Sequence, residues 1–202
     1  MFDGLGFAPV DILVNHVLLR RKIVMGKFNA TMLAVTAVMI AVVAVATGFL
    51  PRVPIPGTGG YVHLGDIFVF FSAFAFGPVI GAIAGGIGCG LADILGGWAV
   101  WAPLTLVAHG VQGFVAGYFG KGKGVGGLVV AWLLGAICLV GLYFLGELLP
   151  VYGGFAGAVT EIVPNIMQAL AGGLVGIPLV LLVRKAYPPI ERIGVGRTWQ
   201  EE

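Results

Sequence analysis

Charge is scarce in this chain. Lys and Arg number 11 and Asp and Glu 9 in 202 residues, so 10% of the sequence is charged, against about 25% in ordinary soluble domains. A chain of this length has too small an interior to hide a 59% hydrophobic composition. That excludes a water-soluble globular domain and leaves the bilayer as the solvent. A net charge of +2 gives no basic surface for nucleic acid. Cysteine is limited to Cys89 and Cys138; both sit in apolar segments and read as small hydrophobic filler, not as a disulfide or a metal pair. Serine occurs once, at Ser72, outside any Gly-x-Ser-x-Gly context, and no HExxH is present. The Gly-Lys-Gly-Lys-Gly run at 120–124 lacks phosphate-loop spacing. Asp66 and Asp93 lack the sequence surroundings of intramembrane aspartyl proteases. No catalytic residue, cofactor or metal is therefore expected, and the chain is not expected to be an enzyme.

Long apolar runs fill the space that charge leaves. Six predicted spans cover about 28–50, 62–77, 78–97, 103–119, 125–148 and 155–182, which makes an all-α, polytopic membrane bundle. A span needs about 20 residues at 1.5 Å each, so the second and third are short, with Phe76-Gly-Pro-Val79 as a tight turn between them. With both termini cytoplasmic, ten of the eleven basic residues fall inside and only Arg52 outside, a strong positive-inside bias. The predicted organisation is an N-terminal extension (1–24) suited to lying on the membrane surface, a six-helix domain (25–186), and an exposed, disordered cytoplasmic tail (187–202).

The embedded polar residues gather at one depth. Thr105, His109 and Gln112 are spaced i, i+4, i+7, and Glu161, Asn165 and Gln168 repeat the pattern, so each trio shares one helix face. His63 and Asp66 open the second span, and Asp93 lies near the end of the third. In the topology above all of them fall in the outer half of the membrane or near its midplane. Ionisable side chains there face a bundle interior or a wet cavity, so a pocket open to the outside is expected. Trp98 and Trp101 lie beside it and, with Tyr143, offer rings for stacking. Glu147 is placed in the outer loop after the fifth span. The Pro- and Gly-rich loop 51–62 ends beside His63 and reads as a lid. On the first span Ala30, Ala34, Ala37, Ala41 and Ala44 form a stripe of small residues that permits close helix contact.

The runs LGD (64–66), FGPVIGAIAGGIGCGLADILGG (76–97) and APLTLVAHGVQGFVAGYFG (102–120) closely resemble the vitamin-binding S components of energy-coupling factor (ECF) transporters. The resemblance covers about 28–183. It implies a six-helix bundle in the plasma membrane of a prokaryote, with a substrate site near the outer face. It also implies docking of an alanine face (Ala30, Ala34, Ala37, Ala41) onto a transmembrane T component that couples to two ATP-binding subunits. The expected substrate contacts are His63, Asp66, Asp93, Trp98, Trp101, His109, Gln112, Glu161, Asn165 and Gln168. Acids without Lys or Arg disfavour strongly anionic vitamins. They favour a neutral or weakly cationic heteroaromatic: hydroxymethylpyrimidine, pyridoxine, riboflavin or thiamine. The competing reading is a solitary or proton-coupled carrier.

Overall fold

The computed structural model describes residues 30–193. The surface helix expected over 1–24 and the end of the tail, 194–202, lie outside the described residues. Among the described residues six α-helices follow one another: α1 (Ala30–Gly48), α2 (Asp66–Phe76), α3 (Pro78–Gly96), α4 (Ala102–Gly120), α5 (Val125–Glu147) and α6 (Gly154–Ala186). Between α1 and α2 lie two short strands, β1 (Val53–Pro54) and β2 (Tyr61–Val62); 3-10 turns occupy Pro150–Tyr152 and Pro188–Arg192.

The helix limits follow from proline and glycine. Pro78 and Pro103 sit in the first turns of α3 and α4, where a missing N–H costs nothing. Gly77, at φ 96°, lets the chain reverse between α2 and α3 in one residue, a backbone conformation that disfavours any side chain. α6 continues past the expected stop near 182 and ends with Arg184 and Lys185 in its last turn, where cations suit the negative end of the helix dipole.

The burial pattern is that of a membrane protein. Leu33, Leu95, Ile137, Phe155 and Leu174 are each at least 65% exposed, while Asp66, His109, Gln112 and Glu147 are wholly buried. Among the described residues four helices are long and apolar enough to cross a bilayer: α1, α3, α5 and α6. α2 has 11 residues, about 16 Å at 1.5 Å each, roughly half the hydrocarbon thickness; the β1–β2 hairpin precedes it.

Glycine sets the helix separations. A Cβ at Gly81 would lie 2.7 Å from the Gly113 carbonyl oxygen, and one at Gly85 2.7 Å from that of His109, so α3 and α4 meet backbone to backbone. A Cβ at Gly172 would fall 2.6 Å from Cβ of Asp66, which is how α6 admits α2. The apolar core is built from Phe70, Phe74, Ile80, Leu128 and Val180. On α1 the buried face is Met32, Thr36, Val43, Ala46 and Thr47; Ala30, Ala34, Ala37 and Ala41 are exposed and Ala44 half-buried. The alanine stripe thus faces away from the bundle.

The start of the tail corrects an expectation. Residues 187–193 are not loose: Ile190 is buried in the apolar core. Lys121 Nζ donates to the carbonyls of Ile193 (2.7 Å) and Phe76 (3.1 Å), and Arg184 donates to that of Phe74 (3.0 Å). These two cations occupy the orphan carbonyls at the end of α2. Burial, and Arg184 beside it, pull the Lys121 ammonium down to about 8.

Candidate functional site

A cavity of about 330 Å³, counting its open mouth, is lined by Gly60, Tyr61, His63, Asp93, Trp101, Thr105, Tyr143, Glu147, Glu161, Asn165 and Gln168. Asp93 comes from α3, Thr105 from α4, Tyr143 and Glu147 from α5, and Glu161, Asn165 and Gln168 from α6. The hairpin covers it. β1 and β2 pair antiparallel with Val53 opposite Val62 and Pro54 opposite Tyr61, and the Ile55 N–H closes the loop onto the Gly60 carbonyl at 2.9 Å.

Four polar contacts fasten this loop to the bundle. The Tyr61 hydroxyl donates to Asp93 Oδ1 (2.6 Å), and the Thr58 hydroxyl donates to Glu161 Oε1. Trp98 Nε1 donates to the Gly59 carbonyl (2.9 Å), and the His63 amide to Gln168 Oε1 (3.1 Å). Burial first, and the bond to Asp93 second, raise the Tyr61 phenol above its usual range, so it stays a donor. The Arg52 guanidinium lies over the rings of Trp98 (4.7 Å) and Tyr61 (5.5 Å). It is a rim group; the lining itself holds neither Lys nor Arg.

Beneath the cavity lies a buried polar network centred on Asp66. Its carboxylate accepts from His109 Nε2 (3.1 Å), Gln112 Nε2 (2.8 Å) and Gln168 Nε2 (3.2 Å). Gln168 Nε2 also lies 3.3 Å from His109 Nε2; with both groups donating to Asp66, that contact is two donors converging on one acceptor. On the other side of the ring, His109 Nδ1 lies 3.3 Å from the Thr105 carbonyl oxygen and 3.4 Å from the Tyr143 hydroxyl. Thr105 Oγ1 in turn lies 2.9 Å from Tyr143. A chain of polar contacts therefore runs from Thr105 through Tyr143 and His109 to Asp66. It joins the cavity wall to its floor and fixes the ring orientations.

The expected contacts thus divide. His63, Asp93, Trp101, Glu161, Asn165 and Gln168 line the cavity. Asp66, His109 and Gln112 are fully buried and outside the lining. Trp98 belongs to the loop's latch. Glu147 is a correction: it is the last residue of α5, fully buried, and part of the cavity wall, not a loop residue, because the last turn of α5 faces Glu161 and Asn165 of α6 across the cavity. Tyr61 and Thr105 also line the site. The i, i+4 spacing from Thr105 to His109 marked the threonine; nothing in the spacing marked Tyr61. Ligand-type atoms of His63, Cys89 and His109 lie within 4.8 Å of one another, and Cys89 also packs in an apolar cluster with Val43, Val69 and Ala84. Each ring already commits one nitrogen, His63 Nδ1 to the Gly65 amide (3.1 Å) and His109 Nε2 to Asp66.

Residues 27–185 match the family model described as ECF-type riboflavin transporter, S component. An uncharacterized protein in a gap 3′ region of Pyrococcus woesei is 39% identical over 145 residues, 71% of this chain and 96% of that one. The thiamine precursor transporter HmpT of Lactococcus lactis subsp. cremoris (strain MG1363) is 31% identical over 150 residues, 73% of this chain and 81% of HmpT. Among solved structures, the S component of a bacterial ECF transporter superposes with a TM-score of 0.64 at 20% identity, covering 77% of this chain and 96% of that chain; the likeness is one of fold.

Proposed function

From the premise that this chain belongs to the ECF-type riboflavin transporter S-component family, an integral membrane transporter family and not a family of enzymes, we propose that it is the binding subunit for uptake of a water-soluble vitamin or vitamin precursor. The substrate is a small neutral or weakly cationic heteroaromatic; hydroxymethylpyrimidine, pyridoxine, riboflavin and thiamine are the candidates. The observation that carries this reading is the cavity wall: Asp93, Glu147 and Glu161 beside the rings of Tyr61, Trp101 and Tyr143, with no Lys or Arg. Rings supply stacking area, and carboxylates accept N–H and O–H donors. The test is mass spectrometry of whatever small molecule co-purifies with the protein, followed by titration of the apo protein with the four candidates. Affinity for none of them would reject the reading.

Six spans with both termini cytoplasmic put Arg52 and the hairpin outside and Lys121, Lys123, Arg184 and Lys185 inside. The cavity then opens outward in a prokaryotic plasma membrane. A cysteine introduced at Gly59 should react with an impermeant reagent added to intact cells, and one at Gly122 should not; the reverse pattern would invert the topology.

Delivery proceeds by association with a T component and two ATP-binding subunits through Ala30, Ala34, Ala37 and Ala41. The outward face of that stripe supports this, since small residues allow a partner helix to approach closely. Ala37→Trp should abolish uptake in cells while leaving substrate affinity within about twofold, a change worth under ~0.5 kcal/mol. Loss of affinity together with uptake would make the stripe part of the chain's own packing.

A further inference from the structure

The end of the bundle away from the cavity carries a second polar cluster, and ligand binding does not use it. Two cations build it, and each bridges the same two parts of the chain. Lys121 Nζ donates to the Phe76 carbonyl at the end of α2 and to the Ile193 carbonyl beyond α6. Arg184 donates from Nη2 to the Phe74 carbonyl of α2 and from Nη1 to the Lys123 carbonyl, and its Nε lies 3.3 Å from Glu191 Oε1. Residues 187–193 are thus a strap that packs against α2 and α6 and is fastened to α2 through two side chains from other elements. The strap's apolar anchor is Ile190, buried in one cluster with Met32, Phe76 and Val180. Tyr187, Pro188, Pro189, Glu191 and Arg192 are exposed. A segment with one buried side chain and hydrogen bonds at the solvent edge lies at the low-stability end of a fold and opens without the rest.

The helix that the strap holds has a smooth bed on one side. Cβ atoms at Gly172 and Gly176 of α6 would meet Asp66, Ile67 and Phe70 of α2. Bare backbone there gives close contact but no side-chain ridge to block sliding. The outer end of α2 is held by the contacts of Asp66 with His109, Gln112 and Gln168. Its inner end is held by the two cation bridges and is followed at once by the reversal at Gly77, on which the Lys121 stem rests. One short helix therefore joins the strap to the floor of the cavity.

We propose that residues 187–193 are a releasable clasp on α2. Closed, the clasp fixes α2 and, through Asp66, the cavity floor. Open, it frees the inner end of α2 to move about Gly77, and the floor loosens. The consequence for a bound ligand rests on the reading of the cavity as a vitamin or precursor site; the coupled opening of strap and helix does not.

Two measurements on the full chain in lipid nanodiscs test this. Hydrogen exchange read by mass spectrometry needs no ligand. In the wild type, amides of 187–193 and of the last turn of α2 should exchange within about threefold of one another, as members of one opening unit do. Lys121→Met removes one bridge and should speed both segments about tenfold while leaving residues 131–139 of α5 within about twofold. Lys123→Met alters an exposed side chain outside both bridges and should change neither segment. The second measurement is the dissociation rate of whichever of hydroxymethylpyrimidine, pyridoxine, riboflavin and thiamine the wild type retains. Lys121→Met should raise it about fivefold or more with the association rate unchanged, since a loosened floor acts on the bound state. Faster exchange in the strap alone would separate strap from helix, and equal acceleration throughout the bundle would make the contact ordinary packing; either overturns the clasp. Faster exchange in both segments with an unchanged dissociation rate would overturn its link to the floor. If none of the four compounds binds the wild type, the vitamin reading falls, and exchange still decides whether strap and helix open together. Should Lys121→Met not fold, unequal wild-type rates in the two segments overturn the clasp and matched rates support it.

Discussion

Replacing Asp66 with alanine is expected to destabilise the protein by about 3–5 kcal/mol, the range for removing one partner of a buried charge-paired network. Asp66 is wholly buried and is the common acceptor for His109, Gln112 and Gln168. Its loss turns three donors toward empty space, and each unsatisfied donor costs about 1–3 kcal/mol. Asp66→Asn should be milder, since it keeps one carbonyl acceptor while setting an amide N–H against a donor. Ligand affinity should fall in the same order, because Gln168 lines the cavity and is held from below by Asp66. Thermal melting of the purified protein in detergent, with the ligand titration repeated on each variant, measures both effects. An alanine variant that melts with the wild type would show that the network contributes nothing to the fold.

Gly113→Leu is the second change with a large expected effect. A Cβ at Gly113 meets the carbonyl of Gly81, and the reciprocal Cβ at Gly81 lies 2.7 Å from the Gly113 carbonyl oxygen. The obstacle is backbone on both sides, so no side-chain rotamer relieves it. α3 and α4 would have to separate, and with them Asp93 and Thr105 on the cavity wall. Overpacking of this kind costs about 3 kcal/mol or more when backbone must move. Gly141 on α5 is the control: nothing lies within 4 Å of its Cβ position. Gly141→Ala should therefore be neutral or stabilising by up to about 1 kcal/mol, the helix-propensity difference. Melting temperatures of the two variants decide between the readings; equal behaviour would mean that the α3–α4 contact is not tight.

Much of the architecture is legible in sequence because proline and glycine act locally. Pro78, Gly97, Pro103 and Pro150 mark ends of elements whatever surrounds them, and the six apolar runs have no soluble alternative. The collection of polar residues is legible too, because an ionisable group within an apolar run must face inward. What spacing does not give is depth along a stripe. Thr105, His109 and Gln112 share one face, yet seven residues of helix cover about 10 Å. The same stripe therefore begins on the cavity wall at Thr105 and ends in the buried network at Gln112.

Glu147 and Tyr61 were decided by tertiary structure alone. For Glu147 the expected span, 125–148, already takes in the residue; what the sequence leaves open is whether the last turn of α5 faces water or the other helices. Packing of that turn beside α6 puts the carboxylate in the cavity wall. For Tyr61 the deciding fact is the register of the hairpin, Pro54 opposite Tyr61, which sets the ring over Asp93; no periodicity exists in a two-residue strand. The sequence by itself determined a membrane bundle of six helices with its acids gathered at one end. Only the packed structure decided which of those acids hold the floor together and which are left facing the cavity. The physical reason is that helical spacing fixes the angle between residues on one element, while the facing of that element toward its neighbours is set by the glycine contacts that bring the helices together.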